Sequence, residues 1–330
     1  MSKIDFLATE RHFLDHLIPV YKALPQNKRG VIYIHKSIEE RAKDLFIGYK
    51  LLNKRSGNKP NLTVVSSYGD LKKARANGSR CVLMEHGAGQ SYQSVKSGSY
   101  IGAPDRSGVV AVLVPGEEHV KRHEKAHPTI PAYPIGIPKL DYIHSDLEAT
   151  NNKIDKEIVV ISFHWDCKLA PETRSAFRYY RRVLEKVSKE YKVLGHGHPR
   201  GFDKYKQFWD KIGVETIKDF SEVIDKGWVY CCDNSSSMFE WISLDRPVVV
   251  MNAPCYRRNI EHGMRFWEYA DMGVQVDNPD NLIKAIKEAQ NDASQRARRR
   301  KEIKDEVYYE TDGKGAERAA ERLLEIREQW

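Results

Sequence analysis

Four segments of the chain combine acid–base and phosphate-binding side chains with glycine, proline or serine, and each follows a predicted β-strand. The first, MEHGAGQSY, spans residues 84–92. An imidazole titrates near working pH, so His86 can act as general base toward a hydroxyl group. Gly87 lets the backbone approach a ligand closely, and Glu85 can orient the imidazole or face solvent. We predict His86 and Glu85 as catalytic residues; the alternative is a histidine that caps a turn.

The second segment, GHGHPR, spans residues 195–200. Arg200 offers planar donors that suit a phosphate group, and His198 offers another when protonated. His196 is a further candidate. No carboxylate or thiolate lies near these histidines in the sequence, so the spacing does not predict a metal site. The segment predicts phosphate binding, with a simple turn as the alternative.

The third segment, CCDNSSSMFEWISLDRPVVV, spans residues 231–250. A strand is predicted to end at Cys232 and a helix to begin at Ser235. Serine hydroxyls and backbone N–H groups at a helix start form an anion site. An ordinary N-cap, the alternative, needs only one serine. Glu240, one turn later, can accept a hydrogen bond from a ribose hydroxyl. The predicted ligand-binding residues here are Asp233, Ser235, Ser236, Ser237 and Glu240.

Two weaker candidates complete the set. In MNAPCYRRNIEHGMRF, residues 251–266, Tyr256 and Arg257 can stack on a base or bind a phosphate. The alternative for the arginine is a solvated face. His164, at the end of another predicted strand, can line the same site. The chain has no GxGxxG, P-loop or GxSxG motif, which argues against hydride transfer, P-loop phosphotransfer and α/β-hydrolase chemistry.

The elements that must position these residues alternate along the chain. Short apolar runs separated by helix-length amphipathic stretches predict parallel sheets covered on both faces. In such sheets, ligands bind beyond the carboxyl ends of the strands. A polar break at 146–157 predicts a linker. Strands are predicted at 31–35, 62–67, 81–86, 109–115, 158–163, 192–195, 215–217, 228–232, 247–251 and 274–276, and helices at 37–52, 68–77, 171–191 and 315–329.

The charge is uneven. The chain has 330 residues, with 54 Lys and Arg against 46 Asp and Glu. Residues 1–150 hold 22 of the basic and 15 of the acidic residues, so they carry nearly all of the excess. This favours an anionic partner such as a polymer, nucleic acid or a membrane surface; a merely soluble basic face is the alternative. Without an apolar run of about 18 residues or a signal peptide, a cytoplasmic protein is expected, with peripheral contact at the inner membrane face left open.

The ordered set of segments resembles a known family. HG at 86–87, HPR at 198–200, DNSSSMFEWISLDRPVVV at 233–250 and DGKGAERAAERLL at 312–324 are similar to motifs of the CDP-glycerol glycerophosphotransferases of teichoic acid synthesis. The resemblance implies a GT-B-like α/β fold: two doubly wound Rossmann-like domains with an interdomain cleft and a C-terminal helix. It assigns 1–145 to an acceptor-side domain, 158–305 to a nucleotide-donor domain, and 306–330 to a helix that packs back on the first domain.

The resemblance also implies roles. His86 resembles the base that deprotonates the acceptor hydroxyl, and His198 the histidine that contacts the donor phosphates. The serines at 235–237 fall where the family holds the pyrophosphate. The expected reaction transfers glycerol phosphate, or a related alditol phosphate, from a CDP-activated donor to an acceptor hydroxyl and releases CMP. Neither a metal nor a cofactor is expected, because fixed donors stabilise the phosphate charge.

Two departures and several rivals keep the acceptor open. Glu85 stands where the family usually has tryptophan or a similar residue, and AGQSYQS at 88–94 replaces a lysine-containing segment that is often present. On the same fold, a nucleotide-sugar glycosyltransferase, acting on a polysaccharide or a hydroxylated DNA base, and a UDP-sugar 2-epimerase are alternatives. A non-enzymatic module that binds nucleotides or polyanions is another.

Overall fold

The computed structural model describes residues 3–45, 48–52, 61–89, 106–166, 174–256 and 266–329, with 266–268 described for the backbone alone. The chain divides into two compact units. The first comprises Met1–Ala88, Pro104–Ser145 and Glu306–Trp330, and the second comprises Gly89–Ala103 and Asp146–Asp305.

The first unit is built on a parallel sheet that, in the described residues, has seven strands in the order β3-β2-β1-β4-β5-β6-β7. Each strand pairs in parallel with its neighbours, as where Leu7 of the first strand lies opposite Val65 of the fourth. The strands are β1 (Ile4–Ala8), β2 (Arg29–Ile34), β3 (Lys50–Leu51), β4 (Leu62–Val65), β5 (Arg80–Met84), β6 (Val109–Val114) and β7 (Ala132–Pro134).

Both faces of this sheet are buried. Alternate residues of a strand point to opposite sides, and in β1 the residues of both sides are buried in apolar clusters. Ile4, Phe6 and Ala8 of β1 pack into one apolar cluster, while Leu7 packs into the other. A sheet covered on both sides explains why its strands read as nearly continuous apolar runs.

The second unit contains another parallel sheet, with five strands among the residues described, in the order β12-β11-β10-β8-β9. Its largest buried side chains include Trp209 and Trp241, and the Trp241 ring stacks on Tyr230 with centroids 4.7 Å apart. The strands are β8 (Ile158–Phe163), β9 (Lys192–Gly197), β10 (Val229–Cys232), β11 (Val248–Met251) and β12 (Val274–Val276).

Helices cover the sheets, and several of the loops that connect helices and strands contain short 3₁₀ turns. In the described part of the chain the helices are α1 (Arg11–Ala23), α2 (Glu39–Asp44), α3 (Tyr68–Ala76), α4 (Glu117–Ala126), α5 (Asp141–His144), α6 (Leu147–Asn152), α7 (Phe177–Tyr180), α8 (Leu184–Glu190), α9 (Phe202–Lys211), α10 (Phe220–Lys226), α11 (Ser237–Ile242), α12 (Leu282–Gln290), α13 (Ser294–Val307) and α14 (Gly315–Glu328). The 3₁₀ turns are Gln26–Lys28, Lys36–Ile38, Pro138–Leu140, Pro199–Gly201, Phe266–Met272 and Pro279–Asn281.

Strand order reverses direction once in each sheet, which fixes where a ligand can bind. In the first sheet the reversal lies between β1 and β4, and in the second between β10 and β8. Neighbouring connections leave such a point toward opposite faces, so a crevice opens at the carboxyl ends of the strands. The crevice of the first sheet is therefore lined by residues that follow β1, β4 and β5, and that of the second sheet by residues that follow β8, β9 and β10.

The C-terminal helix belongs to the first unit. Asp141 accepts hydrogen bonds from the backbone N–H of Gly315, at 3.0 Å, and of Ala316, at 2.6 Å, at the start of α14. A carboxylate at a helix start satisfies donors that have no partner within the helix. Ala319 and Leu323 of α14 join the apolar cluster that also holds Leu14 and Leu17 of α1.

The structure differs from the predicted elements at several points. β1, β3 and β7 are strands that the sequence did not predict, and α1 was also missed. Residues 215–217 contribute only an isolated bridge between Gly195 and Thr216. The helix predicted at 171–191 is divided into α7 and α8 in its described part, 174–191. The predicted linker at 146–157 contains α6, and Asn151 donates to the carbonyl of Leu244 at 2.9 Å.

None of the helices described is both long and apolar enough to cross a membrane.

Candidate functional site

In the second unit, three predicted site segments meet at the carboxyl ends of β8, β9 and β10. His164 follows β8, and the rings of His164 and His198 have centroids 5.2 Å apart. Asp233 follows β10 and accepts a hydrogen bond from the backbone N–H of His164 at 2.8 Å. The sequence separations of 34 and 69 residues are thus closed by parallel strand pairing, at the reversal point of the sheet.

His198 is held in one tautomer by the turn that it caps. Its Nδ1 accepts a hydrogen bond from the backbone N–H of Arg200 at 3.2 Å, at the start of the turn Pro199–Gly201. A ring nitrogen that accepts carries no proton, so in the neutral ring the proton lies on Nε2. His198 therefore presents an N–H donor beyond the strand ends even when it is uncharged.

Trp165 supports the neighbouring arginine. The Arg200 guanidinium lies over the Trp165 ring, 4.8 Å from its centroid, and the His198 ring lies 5.9 Å from the same centroid. A guanidinium over an indole face gains electrostatic attraction and loses rotational freedom. Arg200 is itself exposed, so a ligand can reach its guanidinium group.

Asp233 joins two backbone segments of the site through hydrogen bonds. The side chain is fully buried, and its two oxygens accept from the backbone N–H groups of His164 and Ala176, each at 2.8 Å. Burial raises the pKa of Asp233 to about 6, and the backbone donors limit that rise. A carboxylate occupied in this way links the backbone of His164 to that of Ala176 and is not presented to a ligand.

The serine segment is arranged differently from the predicted helix start. α11 begins at Ser237, two residues later than expected, and has six residues. The Ser235 and Ser237 hydroxyls lie 2.6 Å apart, and Ser237 also lies 2.8 Å from the Tyr230 hydroxyl. All three serines are half-buried. The hydroxyls of Ser235, Ser237 and Tyr230 form a cluster at the end of β10. The dipole of the short helix that follows is weaker than that of a long helix.

Gly89 packs directly on this serine segment. A side chain at Gly89 would place its Cβ within 3.1 Å of both Cα and Cβ of Ser236 and 3.4 Å from the Phe239 ring. Contacts that short are tighter than most that Cβ atoms make, so a side chain at this position would force Ser236 to shift by a few tenths of an ångström. Gly89, the second glycine of the MEHGAGQSY segment, thus has a packing function in the second unit.

His86 lies at the end of β5 in the first unit, and its side chain is exposed. Its Nδ1 lies 2.7 Å from the backbone carbonyl of Ser66, which follows β4. A carbonyl can only accept, so Nδ1 carries the proton and the lone pair of the neutral ring lies on Nε2. Phe13 packs edge-on against the ring, with centroids 4.7 Å apart. This is the tautomer that a general base needs.

His119 holds the residues that follow this base. It is fully buried in α4, and its Nε2 lies 2.9 Å from the carbonyl of Ala88. Burial lowers the pKa of His119 to about 4, so the ring is neutral at neutral pH and donates through Nε2. The loop after β5 is thereby pinned two residues beyond His86.

A family profile covers most of the chain. The profile of the family described as CDP-glycerol:poly(glycerophosphate) glycerophosphotransferase matches residues 112–325, well over half of the chain. The chain belongs to this family. The resemblance that the sequence motifs indicated is therefore confirmed, and the glycerophosphotransferase is an enzyme that transfers glycerol phosphate from CDP-glycerol.

Solved structures share the fold of this glycerophosphotransferase. The wall teichoic acid polymerase TagF matches with a TM-score of 0.69 and 14% identity, covering 99% of this chain and 89% of that one. MnaA of S. aureus in complex with UDP matches at 0.63 and 15%, covering 99% and 98%. UDP-GlcNAc 2-epimerase of Neisseria meningitidis bound to UDP-GlcNAc matches at 0.66 and 14%, covering 98% and 100%. These likenesses confirm the predicted GT-B fold class. No curated protein sequence matches the chain.

Several residues predicted for the site lie inside the glycerophosphotransferase. β9 runs to Gly197, further than predicted, so His196 is a strand residue whose Nδ1 lies 2.7 Å from the buried Ser162 hydroxyl. Tyr256 is buried and donates to the Arg174 carbonyl at 2.7 Å, which corrects the expectation that it stacks on a base. Glu240 is 3% exposed, so its side chain lies inside the unit and not on its surface.

The remaining predicted residues are Arg257, Glu85 and Gly87. Arg257 lies outside the described residues. Glu85 is half-buried, and its backbone N–H donates to Leu113 in the neighbouring strand. The partner that orients Nδ1 of His86 is the Ser66 carbonyl described above. Gly87 is half-buried and stands between His86 and Ala88, whose carbonyl accepts from His119.

Three residues of the site were not predicted from the sequence: Ser66, His119 and Trp165. Ser66 acts through its backbone carbonyl, which no residue type reveals. Trp165 stands directly beside His164 in FHWD, and an aromatic residue at a predicted strand end next to a histidine was a usable signal. Within the described ranges, His, Cys, Asp and Glu side chains form no group of three placed to hold a metal ion.

Proposed function

We propose that the second unit binds the CDP-glycerol phosphates through His198, Arg200 and the serines at 235–237, and that His86 of the first unit is the general base. The donors differ in kind, which suits a diphosphate: a guanidinium, a neutral imidazole N–H and a group of hydroxyls. All of them follow β9 or β10, where a doubly wound sheet holds its ligands.

The proposed reaction is a displacement at the phosphorus that carries glycerol. An acceptor hydroxyl oxygen forms a bond to this phosphorus while the bond to the bridging oxygen breaks. The proton of the hydroxyl goes to Nε2 of His86. The bridging oxygen leaves with its electron pair as part of the CMP phosphate, whose charge Arg200 and His198 stabilise.

The observation that carries this proposal is the opposite tautomer of the two histidines. The Ser66 carbonyl requires a proton on Nδ1 of His86 and leaves Nε2 able to accept. The Arg200 N–H requires a lone pair on Nδ1 of His198 and leaves Nε2 able to donate. Fixed tautomers cost no reorganisation during the reaction. One histidine is thus prepared to take a proton and the other to donate a hydrogen bond.

For the acceptor we propose a hydroxyl-bearing anionic polymer. The first 150 residues carry nearly all of the excess positive charge, and positive potential concentrates anionic substrates. The same excess suits peripheral contact with the anionic face of a membrane, where such a polymer is held within reach.

The test is acceptor-dependent turnover. The purified chain is incubated with CDP-glycerol and a poly(glycerol phosphate) oligomer, and CMP release and oligomer growth are followed together. We expect both to occur in equal amounts, and neither to occur with UDP-GlcNAc in place of CDP-glycerol. Conversion of UDP-GlcNAc alone would overturn the proposal in favour of a 2-epimerase. Binding of CDP-glycerol without turnover of any hydroxyl acceptor would favour a binding module.

Trp165 gives a more local prediction. Replacing Trp165 by alanine removes the surface on which the Arg200 guanidinium lies. A cation–π contact at an exposed site contributes about 1 kcal/mol, so KM for CDP-glycerol should rise about fivefold with kcat changed less. Trp165→Phe keeps an aromatic face and should recover most of the effect. Steady-state CMP release measures both constants.

Trp228 provides the matched control. It is half-buried in the same unit and has the Lys156 ammonium 5.1 Å from its ring centroid, but it precedes β10 and so lies at the amino end of the strand. Trp228→Ala should leave KM for CDP-glycerol unchanged. Equal increases in both variants would mean that Trp165 supports the unit in general and not Arg200.

A further inference from the structure

Tyr230 places a buried phenol next to the serine cluster. The residue lies in β10, is fully buried, and stacks its ring on Trp241. Its hydroxyl lies 2.8 Å from the Ser237 hydroxyl, which in turn lies 2.6 Å from the Ser235 hydroxyl. Ser235 is half-buried. A line of three hydroxyls therefore runs from the interior of the second unit to a serine that follows the carboxyl end of β10.

The protons of this line can point in two directions. Each hydroxyl has one proton to donate and two lone pairs. When Tyr230 donates to Ser237, Ser237 donates to Ser235, and the Ser235 proton is left for a ligand. In the reverse direction Ser235 donates to Ser237 and presents a lone pair to a ligand. The ionised phosphates of a CDP group only accept hydrogen bonds, so the Ser235 hydroxyl can bind them in the first direction alone.

The backbone next to Ser235 completes the first direction. The Ser235 hydroxyl oxygen accepts a hydrogen bond from the Ser237 backbone N–H at 3.3 Å. With the Ser237 hydroxyl as the second donor, both lone pairs of Ser235 are occupied. The oxygen can then act toward a ligand only through its own proton.

The surroundings of the phenol oxygen also suit the first direction. Ser162 of β8 lies opposite Cys232, two residues beyond Tyr230, so the side chains of Ser162 and Tyr230 point to the same face and are hydrogen-bonded. Ser162 lies 2.7 Å from Nδ1 of His196. When Nδ1 carries the imidazole proton, Ser162 accepts it and donates its own to the phenol. Burial raises the pKa of Tyr230 well above its usual value, so the phenol keeps a proton for Ser237.

We propose that Tyr230 is a positioning residue for the donor: its hydroxyl donates to Ser237, Ser237 donates to Ser235, and Ser235 donates to a phosphate oxygen of CDP-glycerol. The inference rests on the proposed function and divides the work among its serines. Ser235 makes the hydroxyl contact, and Ser237 acts through Ser235. Because the protons are directed before the ligand binds, the line matches a group that only accepts and needs no reorientation.

The experiment is a double-mutant cycle on the affinity for CDP-glycerol, measured by titration calorimetry without turnover. Ser235→Ala removes a hydrogen bond to a charged group, so Kd should rise at least about tenfold. Tyr230→Phe keeps the ring and removes only the hydroxyl. Ser235 can still rotate toward the ligand in this variant, so Kd should rise less, by about fivefold.

The two effects should not add, because Tyr230 acts only through Ser235. In the Ser235→Ala background, Tyr230→Phe should change Kd by less than about twofold. A general effect of Tyr230 on the fold of the unit would persist in that background. A full second loss in the double variant, or a Kd for Tyr230→Phe within about twofold of the wild type, would overturn the proposal.

Tyr191→Phe is the matched control. Tyr191 is half-buried in the same unit and donates to the Ile283 carbonyl at 3.3 Å, but it precedes β9 and so lies at the amino end of the strand. Its Kd should equal that of the wild type. Tyr230 is buried, so melting curves must show that Tyr230→Phe is folded. Should it unfold, Ser237→Ala interrupts the same line at a half-buried position, with the same loss expected and the same absence of a loss beside Ser235→Ala.

The outcomes separate this inference from the proposed function. A chain that shows the coupled loss of affinity but transfers glycerol phosphate to no acceptor retains the positioning role of Tyr230 and fails the proposed transfer. A chain that transfers glycerol phosphate, with equal Kd in the wild type and Tyr230→Phe, retains the proposed transfer and loses the positioning role. A wild type without affinity for CDP-glycerol overturns both.

Discussion

Replacing His86 by glutamine is expected to lower kcat for glycerol phosphate transfer by about 10²- to 10⁴-fold, the usual contribution of a positioned general base. The glutamine amide can still donate to the Ser66 carbonyl, so the loop after β5 should keep its place. It has no lone pair of comparable basicity to take the acceptor proton. The loss should therefore appear in the chemical step and not in folding.

Three measurements locate the effect. CMP release gives kcat, a thermal shift with CDP-glycerol reports donor binding, and the melting temperature without ligand reports stability. We expect only kcat to change. A variant with kcat within threefold of the wild type would show that another group accepts the proton and that His86 is a structural residue of the loop.

His35→Gln is the control for this experiment. His35 also follows a strand of the first sheet, β2, and is exposed. Its Nδ1 accepts from the backbone N–H of Ser37 at 3.3 Å, which gives it the opposite tautomer to that of His86. Its replacement should leave kcat unchanged. A similar loss in both variants would point to a general sensitivity of the strand ends.

Most of the two sheets could be predicted from apolar runs, because strands buried on both faces must be apolar along their length. The first strand escaped because its sequence, IDFLA, contains Asp5. In the structure Asp5 is 8% exposed and accepts from Val31 N–H at 2.7 Å and from the Asn61 amide at 3.2 Å. Those partners come from distant parts of the chain. The sequence around Asp5 therefore resembles a solvent-exposed segment, although the carboxyl is hydrogen-bonded inside the sheet.

The helix predicted at 171–191 shows another limit of patterns. Its described part divides between α7 and α8, where Arg181 and Val183 keep helical dihedral angles but Val183 N–H bonds to the Tyr180 carbonyl three residues back. The Tyr180 hydroxyl is buried and donates to the carbonyls of Asn252 and Val276. Periodicity predicts the helical path of the chain, but the bonds that tighten one turn depend on such long-range contacts.

Within the candidate site, residue types were readable but their partners were not. The positions of His86 and His198 after strands follow from the sequence, because glycine, proline and apolar runs mark the strand ends. Their tautomers depend on a carbonyl 20 residues away and on a turn geometry. Burial also divides the predicted ligand-binding residues: the serines at 235–237 are half-buried, whereas Glu240 and Asp233 are inside.

Asp233 carries the largest expected effect on stability. Replacing it by asparagine keeps one acceptor oxygen but places an NH₂ group against the second backbone N–H, so one of the bonds from His164 and Ala176 is lost. Leaving a buried backbone N–H without an acceptor costs about 1–3 kcal/mol, and the free energy of unfolding should fall by about that amount. Urea unfolding followed by tryptophan fluorescence measures it, because Trp209 and Trp241 are buried in the same unit.

Asp210→Asn is the matched control. Asp210 is exposed in the same unit and pairs with Lys206, four residues away on α9, at 2.7 Å. Exposed pairs of this kind contribute well under about 1 kcal/mol, so the urea midpoint should hardly move. A comparable shift in both variants would mean that the loss of any carboxylate, and not of the bonds to His164 and Ala176, destabilises the unit.

The pH dependence of the stability lost in Asp233→Asn tests whether burial raises the pKa of this carboxyl. Burial raises the pKa of Asp233 from 3.8 to about 6 in the folded chain. Between these values the folded state binds more protons than the unfolded state, so the contribution of this carboxyl is fully present below pH 4 and is lost as the pH rises through 6. Asparagine does not titrate. The stability difference between wild type and Asp233→Asn should therefore be larger at pH 4.5 than at pH 7.5. A difference that grows with pH instead would show that the backbone donors outweigh burial and hold this pKa below its usual value.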